Sequence, residues 1–186
     1  AVMARRWLDP QTAADLGKLD PQAIRRAVEE LKPEPRSADE LHDALMSFAF
    51  LENGEVAPWA ELTAELFAQG RATQIAGLVC AAERLPEFRA LLGESPEPPI
   101  EPPAEANRIW QRDEALREIV RDRLQGSGPV TAETLAAPLR IDAAEVQAAL
   151  AALETEGSAM RGRFTPGATR EEWGERRVLA RIHRYT

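Results

Sequence analysis

GPVTAETLAAPLRIDAAEVQAALAALETEGSAMRGRF, residues 128–164, is the stretch whose reading decides the fold. Thr131 stands where an N-cap belongs, and TAETLAAPL reads as a short helix behind it. Arg140 and Ile141 make a tight turn. Asp142 and Glu145 have capping-box spacing, and Val146, Ala149, Leu150 and Leu153 then recur on one helical face. Gly157 ends that helix. SAMRGRF follows with strand character.

Working outward, QRDEALREIVRDRLQG (residues 111–126) places Leu116, Ile119, Val120 and Leu124 on one face of a preceding helix. GPV is a short strand. TPGAT is a loop, EEWGERR a second strand, and VLARIHRYT the start of another helix. Helix, short strand, helix, tight turn, helix and two-stranded ribbon is the order of a winged helix, a helix-turn-helix with a hairpin behind it.

The other half has a similar plan. Asp9-Pro10 and Asp20-Pro21 announce two short helices, each an N-cap aspartate before proline at the first helical position. Ser37 and Glu40 open a third, and a fourth runs from about Trp59 to Gln69, stopped by Gly70. RATQI and LVCAAE, joined by Ala76-Gly77, read as a β-hairpin. LPEFRALLG closes the unit. Between the halves, GESPEPPIEPPAEAN (residues 93–107) carries five prolines and four glutamates, and reads as extended and solvated. The expected organisation is a helical lead-in over 1–36, a first winged-helix-like unit over 37–92, a linker over 93–107 and a second unit over 108–186. The class is α+β, mainly α with small hairpins in tandem winged-helix units.

The 186 residues are 44% hydrophobic and 29% charged, enough apolar material for a core. No run approaches a membrane span. One cysteine, Cys80, rules out an internal disulfide and reads as a small buried hydrophobe in a reducing, cytoplasmic compartment. The net charge of −8 is uneven: residues 158–186 hold seven arginines and three glutamates, while the rest of the chain is strongly acidic. That asymmetry permits a local nucleic-acid footprint.

The basic end supplies the candidate site. Arg161 and Arg163 alternate along a strand and share a face. The TPG loop brings Arg170, with Trp173, toward them. Arg177, Arg181 and Arg184 lie four and three apart on one helical face. Arginine grips phosphate with two donors and stacks on bases. The helix over 142–156 carries Asp142, Glu145, Glu154 and Glu156 without a basic residue, and so makes a poor recognition helix. DELHD (residues 39–43) is read as helix surface, with His42 solvated or capping. Two histidines and one cysteine are too few for a metal site. The carboxylate pairs are explained by helix solvation, and only a pocket gathering histidine and carboxylates would make an enzyme of the chain.

MRGRFTPGATREEWGERRVLARIHRYT (residues 160–186), with LDPQTAADLGKLDPQAIRR, ADELHDALMS, GRATQI, AAERLPEFRALL and GPVTAETLAAPL, resembles the large C-terminal region of the large helicase-related (Lhr) family. The resemblance implies a piece of an ATP-dependent superfamily 2 helicase that moves 3′ to 5′ and is linked to DNA repair. ATP and Mg would belong to an N-terminal motor, none of whose motifs occurs here, so no cofactor is expected in this chain. It implies a non-catalytic accessory region that contacts DNA, or else docks on other helicase domains or identical subunits. That C-terminal region is also similar in architecture to winged-helix DNA glycosylases, whose activity is expected to need residues beyond this chain. At Gly174 the family pattern leads one to expect cysteine, which marks a packing position.

Overall fold

The computed structural model describes residues 19–186. The helix expected after Asp9-Pro10 lies outside them. α1 (Pro21–Leu31) starts behind Asp20, whose carboxylate accepts from the Ala23 amide at 3.1 Å. α2 (Ala38–Phe48) starts behind Ser37, which accepts from the Glu40 amide. β1 (Leu51–Glu52), α3 (Asn53–Val56), a short 3-10 turn and α4 (Ala60–Ala68) follow. β2 (Ala72–Ile75) and β3 (Leu78–Ala81) form the expected hairpin. Ala76 and Gly77 both have positive φ (51° and 79°), the twist that a two-residue connection between antiparallel strands requires. β1 pairs the far side of β3, giving a three-stranded antiparallel sheet in the order β1-β3-β2. α5 (Leu85–Leu91) closes this part.

Residues 93–107 form no helix or named strand; they turn over 104–106, and they are not solvated throughout. Gln74 and Glu97 exchange both backbone bonds, the Thr73 hydroxyl donates to the Pro98 carbonyl at 2.6 Å, and Pro102 is buried. The segment thereby covers the open edge of β2, an edge that would otherwise offer unpaired donors and acceptors.

α6 (Arg112–Gln125), α7 (Ala132–Leu139) and α8 (Ala143–Glu156) come next, then a second antiparallel pair, β4 (Ala159–Gly162) and β5 (Glu172–Glu175), and α9 (Arg176–Tyr185). Val130 exchanges two backbone bonds with Trp173, so the predicted GPV strand is a single bridge at the sheet edge. Asp142 caps α8 through the Ala144 amide. Glu145 does not complete a capping box, because Arg112 takes its carboxylate. The fold is α+β, largely helical with two small antiparallel sheets.

Three apolar clusters hold these elements. The largest joins Phe50, Ile75, Leu85, Phe88 and Leu91 to Leu116, Ile119, Leu150, Leu153 and Trp173, so it draws on both sides of 93–107. Phe50 and Phe88 meet edge-to-face at 5.9 Å, worth about 1 kcal/mol beyond burial. A second cluster lies among α2, α4 and the three-stranded sheet. The third packs α9 (Val178, Leu179, Ile182) on α1 (Ala23, Ala27) with Leu19 and Phe164. Cys80 is buried, and that burial pushes its thiol up to about 12. A Cβ on Gly174 would come within 2.7–3.0 Å of the Leu179 side chain, so packing restricts this position.

Candidate functional site

The β4–β5 hairpin and α9 make one platform, and Phe164 is the reason. Its ring is fully buried in the α1–α9 cluster. The adjacent loop is tied down by Glu172, a buried carboxylate that accepts from the Phe164 amide (2.7 Å), the Thr165 amide (2.8 Å) and the Thr165 hydroxyl (2.7 Å). With Phe164 turned inward and the loop braced, Arg161 and Arg163 are both left on the surface. On α9, Val178, Leu179 and Ile182 face the core, which puts Arg177, Arg181 and Arg184 on the opposite side.

The six predicted arginines are not equivalent. Arg161 is bound to Glu154 at 3.0 Å, and its guanidinium lies 5.7 Å from the centre of the Trp173 ring. Trp173 is itself core, 3% exposed. Arg170 sits apart from the α9 stripe, beside a 270 Å³ cavity that it shares with Glu133, Gln147 and Trp173. Arg163, Arg177 and Arg184 are exposed and make no ion pair among the described residues. Arg181 is half-buried, close enough for its charge to act on Glu30. Sequence reasoning missed Arg26 of α1, which stacks 4.1 Å over Tyr185 while bonded to Glu30. Glu30 also accepts from the Tyr185 hydroxyl, and these bonds hold its carboxyl below the usual range.

The acidic character of α8 is largely cancelled. Glu145 is clamped by Arg112, Glu154 by Arg161, and Glu156 by Arg117 and Arg121. The first of these is a two-pronged pair at 2.8 and 3.1 Å, and it lowers the Glu145 pKa. What α8 exposes between its ends is uncharged: Ala144, Gln147, Ala148 and Ala151.

A second site lies among α2, α5 and α6, in a cavity of about 580 Å³. Arg84 is its hub, 6% exposed. It donates to Glu87 through two nitrogens (3.2 and 2.7 Å), to Asp122 at 2.5 Å and to the Met46 carbonyl at 2.8 Å. One guanidinium thus fixes three helices at one point. Burial opposes the Arg84 charge, but the bonds and charges of Glu87 and Asp122 outweigh it, so its pKa rises. Two carboxylates share that single cation. Desolvation pushes Glu87 and Asp122 above the ordinary range despite Arg84. Glu83, Glu105 and Glu118 complete the acidic wall, and Arg108 and Trp110 stand at the mouth, stacked at 3.5 Å. His42 is not solvated as expected: its Nε2 lies 2.7 Å from Glu83. The cavity thus gathers carboxylates around one arginine, with His42 paired to Glu83 and not itself among the lining residues. No local motif marks it, because Glu83, Arg84 and Glu87 are separated from Asp122 by more than thirty residues of chain.

The cavity and the basic platform are connected. Arg121 bridges Glu118 at the cavity wall to Glu156 at the end of α8. Two residues back, Glu154 holds Arg161 of the hairpin. Among the described residues, no group of histidine, cysteine and carboxylates is arranged to hold a metal ion, and no helix is long and apolar enough to cross a membrane.

A buried acid cluster beside a basic platform fits an enzyme acting on a polyanion better than it fits a passive spacer. The model of the AlkZ-like DNA glycosylase family matches residues 1–181, and the chain belongs to that family. No curated protein matches it significantly. The family match overturns the resemblance to the large helicase-related proteins. With that resemblance go the expected ATP-dependent helicase parent and the non-catalytic accessory role. The family is one of enzymes. DNA stands as the partner it implies, whereas other helicase domains and self-assembly gain nothing from it.

Proposed function

We propose that this protein is a DNA-repair glycosylase that hydrolyses the bond between a modified base and its deoxyribose. The observation that carries this reading is the Arg84–Glu87–Asp122 cluster, two carboxylates with raised pKa values held in a cavity that opens to solvent. α6, α7, α8 and the β4–β5 hairpin act as a winged-helix unit. Arg163, Arg177 and Arg184 supply the main phosphate grip, with Arg161, Arg170 and Arg181 contributing. These contacts fix the duplex in register without reading its sequence. The small apolar side chains of α8 let the backbone approach without repulsion.

Asp122 is the better placed general base. Its side chain is 21% exposed, against 9% for Glu87. Arg84 engages its Oδ2, while Oδ1 receives only a long 3.4 Å bond from Gln125. Glu87 is held at both oxygens by Arg84 and serves as the positioning group. With a target nucleotide out of the stack, Asp122 takes a proton from water as the water oxygen bonds to C1′. The C1′–N bond breaks and the base leaves with the bonding electrons. The departing nitrogen takes a proton back, so the sum is water added across that bond.

The test is base release from duplexes carrying one uracil, hypoxanthine or 7-methylguanine, read as alkali-labile breaks. Release from at least one of them, lost in Asp122→Asn with duplex affinity kept, is the expected result. No release by the wild type from any of them would end this reading.

A further inference from the structure

Large apolar side chains that stay in water are few here. Among the described residues, only Met46 (37%) and Ile109 (96%) are exposed large hydrophobics. Both belong to the same place. Met46 lines the α2–α5–α6 cavity, and Ile109 stands between Arg108 and Trp110, which line its mouth. One exposed aliphatic residue is ordinary; one almost wholly in water, next in sequence to two residues of a cavity that the other lines, is a local feature.

The backbone around Ile109 is held on both sides. The Arg108 amide donates to the Ala106 carbonyl at 2.9 Å, and the Asn107 amide to the Pro103 carbonyl at 3.0 Å. Trp110 packs against the main core cluster with Arg108 stacked on its ring. Ile109 is therefore presented by a fixed turn. Its neighbours Arg108 and Arg112 are cations at the same surface, 59% and 46% exposed.

Resting on the glycosylase reading, we infer that Ile109 is a wedge that enters the base stack and holds open the space left by a nucleotide extruded into the adjoining cavity. Apolar side chains pushed between base steps are a common way to unstack a duplex, with cations beside them to meet the phosphates. The cavity at the foot of this wedge, about 580 Å³, has room for one nucleobase, with Met46 and Trp110 offering apolar surface at its entrance. Ile109 touches neither the scissile bond nor Asp122, so it acts as a positioning residue.

The experiment uses the whole chain and a short duplex with 2-aminopurine opposite cytosine, whose fluorescence rises on unstacking whether or not any bond is cut. Wild type is expected to raise the signal. Ile109→Ala should cut that rise roughly tenfold, the scale of one lost stacking contact. Duplex affinity by anisotropy should stay within about twofold, because phosphate contacts dominate it. Ile109→Leu should restore the rise. An unchanged rise in Ile109→Ala, or no rise with the wild type, overturns the wedge. Unstacking that depends on Ile109, in a protein that releases no base from any duplex, would keep the wedge and remove the glycosylase reading.

Discussion

The hairpin–α9 platform and the α2–α5–α6 cavity are built by opposite routes. The platform is one continuous stretch, residues 159–185, rich in arginine and open to water. The cavity is assembled from Met46, Glu87, Arg108 and Asp122, distant in sequence, acidic and open to solvent at its rim. Charge accumulates on the platform because Arg163, Arg177 and Arg184 stay solvated. In the cavity, charge survives only through mutual pairing around Arg84. A surface built from neighbours shows what a protein can touch; a buried group built from strangers shows what it can do. The two can be separated by mutation, from strong effects to weak.

The largest effect belongs to Asp122→Asn. Removing a general base costs roughly 10²–10⁴-fold in rate, and the asparagine keeps the shape and an acceptor for Arg84. Single-turnover base release should fall by that factor while duplex affinity holds. A parallel fall in affinity would mean that Asp122 only holds the fold together.

Arg84→Met comes next, and it acts on stability. It strands buried Glu87 and half-buried Asp122 without their cation, which costs about 3 kcal/mol. The denaturation midpoint should fall accordingly. A change within the error of the measurement would show that the cluster is already neutral in the folded state.

On the platform, Glu172→Ala removes the acceptor of two amides and a hydroxyl. Each buried donor left unsatisfied costs about 1–3 kcal/mol. The hairpin loop should lose protection in amide hydrogen exchange around Phe164 and Thr165, and the cavity should keep its own. If protection is lost at Asp122 as well, the two regions are mechanically one.

How much of this was legible follows the same division. The caps at Asp20, Ser37 and Thr131, the Ala76-Gly77 turn and the α9 arginine stripe were readable, because each depends on residues within one helical turn or one hairpin. His42 was misread because its partner, Glu83, lies on the far side of the three-stranded sheet in sequence. The glutamates of α8 read as unpaired in sequence because the arginines of α6 that hold Glu145 and Glu156 lie more than thirty residues away in the chain. Proline and glutamate make residues 93–107 read as solvated, because composition says nothing of the open β2 edge that the segment covers. The resemblance to the helicase-related family rested on short stretches along the whole chain, and the family model over residues 1–181 overturns it.

Single replacements of Arg163, Arg177 or Arg184 by alanine should have the smallest effects. Each phosphate contact contributes about −0.9 to the slope of log affinity against log salt, so each variant should flatten that slope by about one. Arg161 should count for less than these three, because Glu154 already neutralises it in the free protein. Moving onto DNA would strand Glu154 beside the phosphates. Arg161→Ala is therefore expected to shift the slope by less than Arg163→Ala, although the two residues are two positions apart and both exposed. Equal shifts would show that the Glu154 pair opens on binding, and α8 would then meet DNA with its acidic end uncovered.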